Sequence, residues 1–144
     1  MKERDLNWQL LEETKHVSIW LDKNYSLFMH QWRNYNKTMG VNFEIFMENA
    51  QIVARHQIAH RPKSVIVDVT ELNITFGGGN IQQWTGFHIE DAMHEAGSDY
   101  LAFIKSKDTF TQISIEQLLE EAKDPKFKLR FFKTVEQALE WLDI

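Results

Sequence analysis

Residues 16–33, with the sequence HVSIWLDKNYSLFMHQWR, decide the fold. Side chains of a strand point alternately to its two faces, and both faces of residues 16–22 and of residues 25–33 carry large apolar side chains. A sheet that is apolar on both faces must be covered on both, so the two segments predict paired strands with helices above and below them. Between them, Lys23 and Asn24 predict a hairpin turn, since asparagine tolerates left-handed backbone better than most residues.

The rest of the chain alternates between helical and extended patterns. We predict helices over residues 42–60, 80–96, 114–123 and 134–144 and strands over residues 64–69, 99–105 and 128–133, with residues 6–12 a candidate for one more strand. Gly97 provides a left-handed C-cap for the second helix. The four helices begin at polar residues that serve as N-caps, namely Asn42, Asn80, Ser114 and Thr134.

This order predicts a single α/β domain over residues 1–144, with residues 1–7 frayed. Its sheet is mixed and mostly parallel, with about five strands that include an N-terminal β-hairpin, and about four helices cover both faces. Helical crossovers join parallel neighbours, and the hairpin supplies the antiparallel pair.

Composition limits the classes of function. The net charge of −5 opposes binding to nucleic acid, and the absence of cysteine fits a reducing cytoplasm and removes thiolate metal sites and cysteine nucleophiles. The N-terminus is too charged for a signal peptide, and no apolar run approaches the ~20 residues of a membrane span. We therefore expect a cytoplasmic protein with no nucleic-acid partner and no membrane span.

The order of elements, together with residues 65–84, VIVDVTELNITFGGGNIQQW, resembles the STAS domain, the fold of sporulation anti-sigma-factor antagonists. The chain is most similar to small bacterial STAS-like proteins. In the antagonists a hydrophobic strand ends in an acidic turn, and the next helix opens on an Asp-Ser-Ser-Gly that contains the phosphorylated serine. Residues 65–69 match the strand and residues 71–72 the turn. The resemblance implies a regulatory module that docks a protein partner through residues 72–79 and the exposed side of the second helix.

The phosphorylated serine of that family is missing, because residues 76–79 read Phe-Gly-Gly-Gly and Gly78 has no hydroxyl. The kinase-regulated switch is therefore not expected here. Thr75 is a nearby hydroxyl outside the family's position, and a plain loop threonine is the simpler interpretation.

The glycine triplet, Gly77, Gly78 and Gly79, precedes the predicted helix start at Asn80. Unpaired amides at a helix start favour an anion, so a phosphate or carboxylate is one candidate ligand. Glycine also permits a tight loop and close packing with no ligand at all. The spacing fits neither the dinucleotide fingerprint nor the P-loop.

Aromatic residues cluster around this loop. Phe76, Trp84 and Phe87, together with Trp32, are expected near the carboxyl ends of the strands, where open α/β sheets usually bind ligands. Packing of the helix onto the sheet is the alternative. The candidate ligand-binding or partner-binding residues are Phe76, Gly77, Gly78, Gly79, Asn80, Trp84, Phe87 and His88.

Histidines raise the question of a metal. His56 and His60 are four residues apart, and His88 and His94 share the second helix with two carboxylates, but no established zinc motif occurs. Structural or solvated histidines are favoured, and no metal or other cofactor is predicted. His30 shares a strand face with Trp32 and is interpreted as a hydrogen-bonded core or pocket residue.

Catalytic signals are weak. Asp68, near the carboxyl end of a strand, is the best-placed acid, with Glu71 and His88 as conceivable partners. An aspartate there more often braces the following turn, and no catalytic motif is readable, so no catalytic residue is predicted.

We predict a non-enzymatic, STAS-like interaction module with a protein partner; a homodimer is compatible with this. The alternative is a binder of a small apolar or anionic ligand near residues 72–80 and the second helix, and an enzyme of unknown class comes third.

Overall fold

The computed structural model describes residues 4–35, 39–76, 87–120 and 126–144. Within these ranges the chain forms six strands and four helices. The strands are β1 (Gln9–Glu13), β2 (Val17–Asp22), β3 (Leu27–Arg33), β4 (Ser64–Glu71), β5 (Tyr100–Ile104) and β6 (Lys128–Phe132). The helices are α1 (Phe43–His60), α2 (Phe87–Ala96), α3 (Thr109–Glu120) and α4 (Val135–Trp141).

The six strands form one sheet in which they lie side by side in chain order. β1, β2 and β3 pair antiparallel, whereas β3, β4, β5 and β6 pair parallel. The predicted α/β class and mixed sheet are thus confirmed. The strand count is six and not about five, because residues 9–13 form an edge strand beside β2.

The hairpin between β2 and β3 is closed by the carboxylate of Asp22, which accepts hydrogen bonds from the backbone N–H groups of Asn24 (2.9 Å) and Tyr25 (3.2 Å). An aspartate that bonds the backbone two residues ahead stabilises a turn without help from elsewhere. The left-handed residue of this connection is Ser26, with φ 50°, and not the predicted Asn24.

Three of the predicted helix ends are found in the structure. Asn42 accepts the N–H of Ile45, Thr134 accepts the N–H of Gln137, and Gly97 has φ 71° directly after α2. The prediction for α3 is wrong, because this helix begins five residues before Ser114. The carboxylate of Asp108 accepts the backbone N–H of Thr111 (3.0 Å) and its hydroxyl (2.7 Å), which makes Asp108 the N-cap.

Alternating side chains build one hydrophobic core on each face of the sheet. Residues such as Ile19, Phe28 and Val67 pack against α1, α2 and α3 on one face. Residues such as Leu27 and Ile66 pack against α4 and the N-terminal segment on the other. Helices therefore cover both faces, as both apolar faces of the early strands require.

The N-terminal segment contacts the rest of the fold from Arg4 onwards. Arg4 Nε donates to the carbonyl oxygen of Ile144 (2.6 Å), and the backbone N–H of Asn7 donates to the carboxylate of Asp22 (2.6 Å). Within residues 1–7, for which fraying is predicted, Arg4 and Asn7 are thus hydrogen-bonded. In the described ranges, every helix is too short or too polar to cross a lipid bilayer.

Candidate apolar binding site

A cavity of about 80 Å³ lies between the sheet and the helices α1 and α2. Strands β3, β4 and β5 form its floor, the two helices form its walls, and residues 72–76 lie along its edge. Among the described lining residues, the side chains are apolar except for His30 and Gln57. The space is several times the ~10–15 Å³ that one water molecule occupies, which suits an organic group of about one aromatic ring.

Small side chains on the two helices leave this space open. Ala50 and Ala54 lie four residues apart on α1 and line the cavity, and Ala92 lines it from α2. Residues four apart share one helix face, so the two alanines form a shallow stripe opposite the sheet. A leucine at any of these positions would extend into the cavity. The cavity therefore depends on alanine at these three positions.

His30 lies on the cavity floor with only 8% of its surface exposed. Its Nδ1 accepts a hydrogen bond from the indole N–H of Trp32, at 2.8 Å. Burial lowers the pKa of His30 from 6.5 to about 3, so the imidazole is neutral at physiological pH. Because an indole nitrogen only donates, Nδ1 carries no proton, and the ring proton is on Nε2.

Gln57 is the second polar residue of the cavity wall. Its Nε2 lies 3.2 Å from Sδ of Met93 and 3.4 Å from Oγ of Ser98, and that hydroxyl donates to the carbonyl oxygen of Pro62 at 2.6 Å. The Ser98 oxygen therefore has a lone pair for the amide N–H, which fixes the amide orientation. Within the described part of the chain, no donor reaches Gln57 Oε1.

Phe76 is the predicted binding residue that the structure places in this cavity. Its ring lies 5.4 Å from that of Phe43 and 5.6 Å from that of Phe46, measured between centroids. Phe46 in turn stacks on Trp32 at 5.1 Å. Phe76 and Trp32 thus both line the cavity, and α1 supplies much of its wall.

The edge of the cavity is held by backbone pairing. The N–H of Val41 donates to the carbonyl oxygen of Asn73 at 2.7 Å, and the N–H of Thr75 donates to the carbonyl oxygen of Val41 at 3.0 Å. This pairing holds the start of α1 beside residues 73–75, so that Phe43 and Phe76 meet. Thr75 itself is exposed, with Oγ1 3.4 Å from the carbonyl oxygen of Val41.

The other predicted binding residues fall outside what the structure describes. Gly77, Gly78, Gly79, Asn80 and Trp84 lie outside the described residues. Phe87 and His88 belong to α2, and their side chains likewise lie outside the description. The anion hypothesis for the glycine triplet therefore stays a prediction.

The two histidines of α1 make ordinary side-chain contacts. Nε2 of His56 lies 2.7 Å from Oε1 of Glu12, and the His56 ring stacks on that of His60. Over the described ranges, no three histidine, cysteine or acidic residues come together as metal ligands.

The best-placed acid of the sequence braces a turn. Asp68 Oδ1 accepts the backbone N–H of Thr70 at 3.1 Å and its hydroxyl at 2.5 Å. Asp68 alternates with Val67 and Val69, which line the cavity, so it lies on the opposite face of the sheet. Glu71 pairs with Lys107 at 2.6 Å.

Sequence reasoning did not single out Gln57. The signal was the four-residue spacing, since Asn49, Val53 and Gln57 recur every four residues, are the buried residues of α1, and include two amides. A buried amide on such a stripe has to find partners, and part of this one faces the cavity.

Comparison with protein family models, with curated proteins and with solved structures finds no match to this chain. Its function therefore has to be inferred from the cavity itself.

Proposed function

We propose that the protein binds a small, mostly apolar ligand in the cavity between the sheet and helices α1 and α2. The cavity is the observation that carries this proposal. Protein interiors are close-packed, with few voids larger than a water molecule. Empty apolar space sacrifices dispersion contacts, and a ligand of matching size would restore them.

The lining favours an uncharged ligand over an anionic one. No charged side chain is among the described residues of the cavity wall, and burial keeps His30 neutral. A carboxylate or phosphate would lose its hydration there without gaining a cation as partner. Of the two ligand types in the sequence-based alternative, the apolar type is the better supported.

Two probes of one-ring size, toluene and phenol, test the proposal by titration of isotope-labelled protein and measurement of amide chemical shifts. We expect at least one probe to bind and to shift amides of α1 and α2. Ala54→Leu, which fills the cavity from α1, should abolish that binding. The matched control is Ala59→Leu on the exposed side of the same helix, which should bind as the wild type does.

The melting temperature checks that Ala54→Leu is folded, since filling a cavity commonly raises stability. The proposal fails if neither probe binds the wild type, or if Ala54→Leu binds as well as Ala59→Leu.

Docking of a protein partner, as the STAS resemblance implies, is the second candidate. Phe110 and Ile113 lie one turn apart on α3 and are 52% and 49% exposed, which favours an interaction surface at that helix. In the described part of the predicted docking loop, by contrast, Leu72, Ile74 and Phe76 are buried.

Mutations distinguish the two candidate functions, ligand binding in the cavity and docking of a protein partner. A docking module should capture its partner as wild type and as Ala54→Leu, and should lose it when Phe110 and Ile113 are both changed to serine. Capture that survives the double serine change contradicts docking through α3.

A further inference from the structure

The two polar residues of the cavity each have one hydrogen-bonding position without a partner in the described part of the structure. His30 uses Nδ1 to accept from Trp32, which leaves Nε2–H as a donor. Gln57 uses its Nε2 toward Met93 and Ser98, which leaves Oε1 as an acceptor. Both residues are more than nine-tenths buried, and both line the same cavity.

A donor or acceptor that faces the cavity gains a partner when a ligand supplies one, so a ligand that pairs with both groups is favoured over one that pairs with neither. The two groups differ in role, because His30 Nε2–H donates a hydrogen bond and Gln57 Oε1 accepts one. Together they select for a ligand group that does both while remaining uncharged.

A hydroxyl is the smallest neutral organic group with this property. A ketone or ether only accepts and would leave Gln57 Oε1 unpaired. An ammonium or a carboxylate would bring a charge into a wall that offers no counter-ion among its described residues.

We infer that the cavity takes an alcohol or a phenol, whose hydroxyl accepts a hydrogen bond from His30 Nε2–H and donates one to Gln57 Oε1, while its hydrocarbon part packs against the alanine side of α1. This inference rests on the proposed function, that the cavity holds a small ligand. It adds the chemical class of that ligand and the two residues that recognise it.

Phenol and toluene test this inference because they have nearly the same size and differ in one hydroxyl. Toluene leaves water more readily, so an apolar wall alone binds toluene more tightly. We expect the wild type to bind phenol about tenfold more tightly than toluene, the effect of two modest hydrogen bonds. Calorimetric or NMR titrations give both dissociation constants, and benzoate serves as the charged analogue.

Gln57→Leu should reverse the preference, so that toluene binds more tightly than phenol. Leucine has a similar volume, and Ser98 keeps its bond to the Pro62 carbonyl, so no buried hydroxyl is stranded. Gln51→Leu is the matched control, because Gln51 is exposed on the same helix and should leave the preference unchanged.

A second readout needs no variant. The NMR signals of the His30 Nε2 nitrogen and its proton should shift when phenol binds. They should not shift when toluene occupies the same fraction of the protein. This response reports the hydrogen bond itself and not merely the occupation of the cavity.

The outcomes distinguish failure of the proposed function from failure of the hydroxyl inference. If neither probe binds, the proposed function fails. If toluene binds as tightly as phenol, or if the phenol preference survives Gln57→Leu, the hydroxyl inference fails while the proposed function stands. Benzoate binding as tight as that of phenol would overturn the choice of an uncharged ligand.

Discussion

Trp32 donates its indole N–H to Nδ1 of His30 across 2.8 Å, between two residues of the same strand that share one face of the sheet. This bond satisfies the indole and leaves the imidazole proton on Nε2. Burial lowers the pKa of His30 to about 3, so the ring remains a neutral donor throughout the physiological pH range. The polar character of the cavity therefore does not change between pH 6 and pH 8 as that of an exposed histidine would.

Replacing Trp32 with phenylalanine should remove this bond and keep an aromatic ring beside Phe46. We expect unfolding free energy to fall by about 1–3 kcal/mol, because a buried acceptor loses its donor. Urea denaturation measures this loss, and the nitrogen shifts of His30 should report a larger population of the Nδ1–H tautomer. Trp20→Phe, which removes the half-buried bond to Gln31 (3.0 Å), is the control and should leave His30 unaffected. An unchanged His30 tautomer in Trp32→Phe would contradict the assignment.

Stability should depend on pH through His30. The folded pKa of His30, about 3, lies below the unfolded value of 6.5, so between these values the unfolded chain binds a proton that the folded chain does not. Stability is therefore lost as the pH falls through this window, by about 2 kcal/mol from pH 7 to pH 5 for this one group.

His30→Gln tests this dependence, since glutamine still offers an acceptor to Trp32 and does not titrate. Between pH 7 and pH 5 the wild type should lose more stability than the variant, as urea midpoints measure, because the other titrating groups are common to both. Parallel curves for the wild type and the variant would show that His30 does not contribute.

The structure places the N-cap of α3 at Asp108, whereas the sequence predicts it at Ser114. Asp108→Ala should lower the unfolding free energy by about 1–2 kcal/mol, because the carboxylate accepts two hydrogen bonds from Thr111, which is fully buried. Ser114→Ala should change it by less than about 0.5 kcal/mol, since Ser114 lies inside the helix and its hydroxyl returns to the carbonyl of Phe110. Chemical denaturation measures the unfolding free energy of both variants. A larger loss of stability in Ser114→Ala than in Asp108→Ala would contradict the N-cap at Asp108.

Gly40 is required by a close approach of two chain segments. A Cβ at this position would overlap Cγ2 of Thr75 and lie 3.2 Å from the carbonyl oxygen of Asn73. Gly40→Ala should therefore lower stability by about 1–3 kcal/mol. Thr75→Ala removes the overlapping methyl group, so the same glycine change should cost less in that background, as a double-mutant cycle would measure. Additive losses would show that Thr75 is not the obstacle.

Much of the fold was predictable because local physics and the final structure agree. Two-sided apolar strands required a covered sheet, and Asn42, Thr134 and Gly97 mark helix ends with chemistry that acts within a few residues. The start of α3 was missed because polar residues alternate with apolar ones from Thr109 to Ile115, which obscures the helical period. Ser114, with Gln117 three residues later, has the appearance of a cap but lies within the helix.

The site was predictable only in part. Phe76 and Trp32 are aromatic residues near strand ends, a placement that made them pocket candidates, and both line the cavity. Ala50, Ala54 and Gln57 line the cavity because of the strands that α1 faces in the folded protein. Those strands are distant from α1 in sequence. Periodicity identifies which helix face is buried, but it does not reveal that the buried face leaves space.

The match between strand order and chain order has a consequence for synthesis. Each strand pairs with the strands made immediately before and after it, so no early strand waits for a late one to be inserted beside it. Such near-neighbour pairing limits the loop that each new strand must close to one hairpin or one crossover. The sheet is therefore suited to growth from β1 towards β6 as the polypeptide leaves the ribosome.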